Sequence, residues 1–469
     1  MPAARPHPHR LSLTRALALS VGAAATGAAG TQLRVEPAPA PAPRGANFVL
    51  TNCNDSGAGS LRQAMLDAHN NTTVDFGQLT CSLVTLTSGA LVDPGTDSLK
   101  LVAPVHVAGG RPQPSITIDA NDHSRVIEHR SGGSLELTGL ALKRGHTTDA
   151  KGGCIYANGH VTATATTISG CTAASTGAAA ALGGGVWSDD QVDLVFSTVS
   201  GNVALAHGST GYAYGGGVFS SYGVYAVFSA ITGNQATGFG YGGGIGVTGP
   251  VAIRSSLVSS NVAAYGGGLG LFGGADVGSG DLVIIDSTIA FNNATGFAAG
   301  IEAGADLAVY NSTIANNSGS RADHANGIVI EGSHTLKLVS TIVALNTAGG
   351  DISGAASISG DHDLVGQSSV ALPAGTLSGN PQFAAFADWG GQTMALALQA
   401  GSPAVGAGAN PLALPCDQRG GSWAGPYAMS GLYPRQVGAQ VDIGAVEYGS
   451  ADAIYADGFE TPSASCYPS

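Results

Sequence analysis

The sequence predicts an all-β chain wound as a parallel β-helix solenoid, with a short N-terminal capping helix and a C-terminal cap region. Three observations predict it. A glycine cluster followed by a short apolar run recurs seven times. Two anchor residues within each copy keep a nearly constant separation. A hydroxyl and a small polar residue hold fixed offsets from the second anchor.

The first anchors, each directly after its glycines, are Ile155, Val186, Val218, Ile245, Leu269, Ile301 and Ile328. The second anchors are Ile168, Val199, Ile231, Val258, Ile289, Ile314 and Ile342. The separations are 13, 13, 13, 13, 20, 13 and 14 residues, the longest carrying the insertion "GGADVGSG". Two positions before the second anchor stand Thr166, Ser197, Ser229, Ser256, Ser287, Ser312 and Ser340. Three positions after it stand Cys171, Asn202, Asn234, Asn261, Asn292 and Asn317, while Asn346 of the seventh copy is slipped by one. Repeat lengths between second anchors are 31, 32, 27, 31, 25 and 28 residues, and the variation falls between the asparagine and the next glycines.

Within a copy, apolar residues alternate with others, as in Val251 and Ile253, Leu282 and Ile284, or Leu307 and Val309. That period of two belongs to strands with one face in a core. No helical pattern lies between them, which excludes βαβ architectures. Propeller blades, at about 40–45 residues, are too long for this repeat. Stacked coils place equivalent residues in columns. Asparagines in such a column hydrogen-bond from coil to coil at a turn, and serines fill inward sites too tight for larger residues.

Composition agrees. With 10% charged and 44% hydrophobic residues and 72 glycines in 469, the chain has the opposite balance from a disordered one. A net charge of −13 with sparse Lys and Arg excludes a nucleic-acid partner. Residues 1–30 read as a signal peptide, since Arg10 and Arg15 precede an apolar stretch ending in small residues. The alternative, an amphipathic helix, would not run into the stiff "EPAPAPAPRG" of a Pro/Ala-rich linker at 31–46. The solenoid with its N-terminal cap then occupies 47–375, a C-terminal region 376–448 and a tail 449–469. In "GSLRQAMLDAHNN", Ser60 and Gln63 have capping-box spacing, and Leu61, Ala64, Met65 and Ala68 make one apolar face suited to plugging an open coil. No stretch has the ~18 unbroken apolar residues of a transmembrane helix. Six cysteines allow 15 disulfide connectivities; loop size mildly favours Cys53 with Cys81 and Cys154 with Cys171. None forms a CxxC pair and no histidine completes a zinc site, so neither a metal nor another cofactor is expected.

The stretch "FVLTNCNDSGAGSLRQAMLDAHNN" with "VDFGQLTCSLVTLTSGAL" resembles the opening of secreted bacterial right-handed parallel β-helix proteins. The repeated "GGGV…STVSGN" is similar to repeats of polymorphic outer-membrane proteins. "NPQFAAFADWGGQTMALALQAGSPAVGAGA", "CDQRG" and "VDIGAVEY" resemble the choice-of-anchor Q domain, and "IYADGFE" a tail of exported Gram-negative proteins. Together the first three resemblances cover residues 47–448. They imply a right-handed, pectate-lyase-like solenoid on an exported protein, extracellular or on the outer surface of a Gram-negative bacterium.

That fold is shared by polysaccharide lyases and glycoside hydrolases, so activity has to be argued from a site. The catalytic candidates are Asp189, Asp190 and Arg254. Arg254 shares a column with Val195, Val227, Ile285 and Tyr310 and reads as an outward, solvated side chain. Asp189 and Asp190 are adjacent acids in a turn, with Tyr222 and Gly223 in the next copy and no acidic partner stacked there. The "NTD" and "GHG" signatures of polygalacturonases are absent. Asp417 and Arg419 of "DQRG" read as a local pair that pins the C-terminal region. Trp187, Tyr222, Tyr241 and Tyr265 are the ligand-binding candidates, forming with Tyr212, Tyr214, Phe219 and Phe239 either a stripe for sugar rings or a set packed on one another. The expectation is a non-enzymatic exported protein with an adhesive or glycan-contacting face, its partner a polysaccharide or cell-surface glycan. The alternative is a polysaccharide lyase or glycoside hydrolase with a diverged site. Ser197, Ser229, Ser256 and Ser287, with Asn202, Asn234, Asn261, Asn292 and Asn317, are structural in either case.

Overall fold

The computed structural model describes residues 47–450 and Cys466, except 70, 94, 96, 97, 273–281, 426, 427, 431 and 432. The expected signal peptide and linker, nearly all of the tail and the insertion "GGADVGSG" lie outside the described residues.

Each repeat lays down short strands that pair in parallel with the copies before and after, building sheets of 12, 11, 10 and 10 strands. In one coil, Val161–Thr164 lies in sheet I, Thr167–Ser169 in sheet II, Thr172–Ala174 in sheet III and Val186–Ser188 in sheet IV. Val192–Val195 then returns to sheet I beside Val161–Thr164. The chain is therefore a parallel β-solenoid of about ten turns. The first anchors form one registered column in sheet IV, from Ile155 through Val186, Val218, Ile245, Leu269 and Ile301 to Ile328. All are 0% exposed.

Both sharp corners use one device, a left-handed residue followed by a ladder residue. Between sheets I and II the left-handed residues include Phe196, Phe228, Ser255, Asp286, Asn311 and Ser340, with φ of 44 to 55°. A left-handed residue with a side chain costs about 1–2 kcal/mol, and the ladder that follows offsets it. Ser197 N–H donates to Ser229 Oγ, Ser229 N–H to Ser256 Oγ, and Ser256 N–H to Ser287 Oγ, at 3.0–3.1 Å. Between sheets II and III the ladder residue is asparagine. The Nδ2 groups of Asn202, Asn234, Asn261 and Asn292 donate to the Oδ1 of the next coil's asparagine at 2.9–3.0 Å. Each also holds a carbonyl of the preceding coil, as Asn261 Nδ2 holds Ile231 O at 2.9 Å.

Register corrects the seventh copy. Ile314 pairs with Val343, not Ile342, so Val343 is the anchor and Asn346 keeps its offset of three. Thr341 takes the hydroxyl position, donating to Val309 O and Val339 O. Ser340 is instead the left-handed corner residue.

The glycine clusters carry sheet III into sheet IV. Gly242 has φ +65°, and a Cβ on Gly243 would lie 2.4 Å from Gly267 O in the next coil. The helix Leu61–Leu66 buries Leu61, Ala64 and Met65 against the first coils, with Ser60 Oγ accepting from Gln63 N–H. Gln63 does not reach back to complete the box; its side chain donates to Asp67.

After the last coil, Leu377 bridges to Leu364 and the chain turns back along the outside of sheet II. The hairpin of Phe383–Ala387 and Ala395–Leu398 packs on Ala290 and Ala315 through Leu396. Further on, the segment reaches the early hairpin Val105–Ala108 and Arg111–Pro114. Arg111 Nη2 lies 2.6 Å from Asp388 Oδ1, and Gln392 Nε2 donates to Gly110 O. Asp417 and Arg419 pair at 2.5 Å, both buried. Their neighbours hold the solenoid: Thr288 Oγ1 donates to Gln418 Oε1, and Arg435 Nη1 lies 3.1 Å from buried Asp286. Cys53–Cys81, Cys154–Cys171 and Cys416–Cys466 form disulfides, which fit an oxidising, extracytoplasmic environment.

Candidate functional site

Outward residues of sheet IV also fall in register, as Glu128, Tyr156, Trp187, Phe219, Gly246, Gly270 and Glu302. The early end of this column is charged and aromatic. A cleft of about 380 Å³ opens there between Arg125, Glu128, Arg130, Lys151, Tyr156 and Asn158. Tyr156 stacks on Trp187 with centroids 4.7 Å apart. Lys151 Nζ stands 4.1 Å from the Trp187 centroid, and the Arg125 guanidinium lies over Tyr156. Such cations are held by the ring quadrupole.

Glu128 is the electrostatic centre of the cleft. Its Oε1 accepts from Arg125 Nη1 at 2.6 Å, and its Oε2 from Arg130 Nη2 at 2.6 Å. Burial alone would raise its carboxyl; the hydrogen bonds from Arg130 and Arg125 outweigh that and hold it below the ordinary glutamate value. Glu128 in turn raises the Arg130 guanidinium. A pair tuned in these directions stays charged at neutral pH, with no proton on the carboxylate to donate and no neutral guanidine to accept one. Arg130 is 63% exposed and Asp149 75%, so the rim is open to a ligand.

The aromatic stripe runs beside this column, at the corner of sheets III and IV. Tyr214, Tyr241, Tyr265, Phe297 and His324 succeed one another with centroids 4.3–5.5 Å apart. Tyr214, Tyr241 and Tyr265 stack face to face, so each neighbour covers a ring face that a sugar would need. Burial, with Glu302 and adjacent phenols, pushes Tyr241 up to about 12. At the late end of sheet IV, burial and then Glu331 push Glu302 up to about 8.

The sequence-derived candidates are dispersed. Asp190 Oδ1 accepts from Gln191 N–H in the turn from sheet IV to sheet I, and Asp189 beside it is exposed. Arg254 ends a sheet I strand, half-buried between Val227 and Ile285 and near Asp286. The two sites stand at opposite ends of the sheet I strands. Trp187 is 3% exposed, Tyr222 58%, and Tyr241 and Tyr265 are half-buried within the stack. The cleft residues Arg125, Glu128, Arg130 and Lys151 escaped sequence reasoning because they precede the regular copies. Their density of charge in a chain only 10% charged was the available signal. Among the described residues, no group of three His, Cys, Asp or Glu is placed to hold a metal ion.

The class defined by the winding is the parallel β-solenoid. Within that class the chain matches no protein-family profile and no curated protein sequence. It is similar to a solved structure, that of pectate lyase Pel9A, with a TM-score of 0.48 and 14% identity, covering 86% of this chain and 96% of that one. The likeness concerns the winding and carries nothing about activity.

Proposed function

We propose that this chain is an exported, choice-of-anchor Q-like β-solenoid of the Gram-negative outer surface or its surroundings. It contacts a glycan through the early end of sheet IV without cleaving glycosidic bonds. The observation that carries the reading is the open cleft where exposed Arg130 and ring-held Lys151 border the Tyr156–Trp187 stack. Cations at an aromatic edge, one of them exposed, suit a polar, ring-bearing ligand. The Glu128–Arg130 pair argues for holding a ligand rather than moving a proton. A glycan array with the full-length chain tests this. Binding that falls at least tenfold in Arg130→Ser and Lys151→Ser supports it, and binding unchanged in both variants overturns it.

Glu302 favours a second reading, a glycoside hydrolase with a diverged site. A carboxyl raised to about 8 stays protonated at neutral pH, as a general acid must. Incubation with acidic and neutral polysaccharides separates the two. Product that vanishes in Glu302→Gln establishes the hydrolase.

A further inference from the structure

Sheet IV ends, in its first two coils, on an acid and a base that the later coils lack. Asp93 closes the strand Leu91–Asp93 and His129 the strand Ile127–His129, and the two residues pair in register. His129 Nδ1 lies 2.5 Å from Asp93 Oδ2, with both side chains 0% exposed. Asp93 Oδ1 accepts from Gly95 N–H at 3.1 Å. On the other side of the ring, His129 Nε2 lies 3.0 Å from Ser131 Oγ and 3.1 Å from Gly133 O. Ser131 is half-buried, in the turn that leads into sheet I, and Gly132 beside it is exposed.

From this geometry we infer that Ser131, His129 and Asp93 form a nucleophile, base and orienting acid for acyl transfer from a carboxylic ester with a small acyl group. This goes beyond the glycan-contacting reading and does not depend on it. Packing alone does not require the trio. The next positions of the same column are Ala157, Ser188, Ser220 and Val247. There a single hydroxyl serves the corner carbonyls, Ser188 Oγ donating to Gly159 O and Ser220 Oγ to Asp190 O. Burying an imidazole and a carboxylate instead is costly without a use for them.

The chemistry follows the distances. In the tautomer with its proton on Nδ1, 2.5 Å from Asp93 Oδ2, the ring presents Nε2 as an acceptor for Ser131 Oγ–H. The oxygen attacks the ester carbonyl carbon as its proton passes to Nε2. The carbonyl electrons move to the ester oxygen; Gly133 N–H, which donates to Ser131 Oγ at 3.3 Å in the resting structure, is the nearest donor that can shift to it. Gly133 O accepts from Nε2–H in the imidazolium so formed. Collapse breaks the bond to the alcohol oxygen, which leaves with the Nε2 proton. Water then attacks the acyl-serine, passes its proton through Nε2 to Ser131, and releases the acid. A Cβ on Gly132 would meet nothing within 4 Å, so space for the substrate lies beside the nucleophile.

Active-site labelling with diisopropyl fluorophosphate tests the assignment on the full-length chain. Attack forms an Oγ–P bond and expels fluoride, and intact-mass and peptide analysis locate the adduct. The expected result is one adduct at Ser131, together with hydrolysis of p-nitrophenyl acetate that Ser131→Ala abolishes. The isosteric Asp93→Asn should slow hydrolysis by roughly 10²–10⁴-fold; a serine that merely shapes its turn would take no adduct. Wild-type protein with an intact circular dichroism spectrum and no adduct at Ser131 overturns the inference. So does a Ser131→Ala variant that hydrolyses the ester like the wild type.

Discussion

Asn346 ends the asparagine ladder on Asp351, giving both its backbone N–H and its Nδ2 proton to Asp351 Oδ1 at 2.9 and 2.8 Å. The serine ladder ends the same way, with Thr341 N–H donating to Asp363 Oδ1 at 2.9 Å. Each column of neutral polar groups thus closes on a carboxyl, Asp363 standing in the last coil where Thr341 stands in the coil before.

Mid-ladder substitutions should be costly. Asn261 Oδ1 accepts from Asn234 N–H and Nδ2, and its own Nδ2 donates to Ile231 O and Asn292 Oδ1. Asn261→Ala orphans several buried groups and is expected to destabilise by roughly 3 kcal/mol. Urea unfolding compared with an exposed-site control checks it; a loss below about 1 kcal/mol would show the ladder to be dispensable.

Stability should fall as pH rises from about 4 to 8. Burial pushes Asp363 up to about 7 against its bond from Thr341, and Glu447 up to about 7 against its bond from Asp442. Because these folded values lie above the unfolded ones, the native state holds more protons in that window, and raising pH favours unfolding. Asp55 has the opposite sign. Burial would raise it, but bonds from Ser88, Arg62 and Thr87 lower it, so its contribution is lost below about pH 4. Melting temperatures across pH should therefore peak on the acidic side. Asp363→Asn should raise melting at pH 8 and leave it unchanged near pH 4.

The returning C-terminal segment should depend on Arg435. This side chain is 1% exposed, lies 3.1 Å from Asp286, and donates to the carbonyls of Asp442 and Gly444. Arg435→Ala strands a buried acid and is expected to cost roughly 3–5 kcal/mol. Limited proteolysis should cut within 376–448 in that variant before the coils. Pairing it with Asp286→Asn should recover part of the loss.

The Cys416–Cys466 disulfide closes a separation of 50 residues, against 17 for Cys154–Cys171. Chain-entropy arguments assign about 4 kcal/mol to the former and about 3 to the latter. Cys416→Ser with Cys466→Ser should lower thermal stability more than the corresponding Cys154 and Cys171 pair, as calorimetry can measure.

Much of the scaffold was legible because a solenoid repeats its environment once per coil. Ser197 and Asn202 occupy the same surroundings as Ser256 and Asn261, so selection writes the same residue types at the same spacing. The seventh copy was misread by one residue because Ile342 and Val343 are both apolar. Only the pairing with Ile314 shows which one faces inward. The cleft was legible only as a local density of charge. Arg125, Glu128, Arg130 and Lys151 occur once each, and no period calls attention to them.

The sequence by itself determined the winding, its coil length, the serine and asparagine columns and the capping helix, since each follows from local periodicity and the rule that equivalent residues stack. Tertiary structure alone decided three things: the return of residues 376–450 along the side of sheet II, the meeting of Lys151 with Trp187, and the alignment of Asp93, His129 and Ser131. Those contacts join residues from different coils, or from the two ends of the chain. Their distances depend on where the winding places each turn.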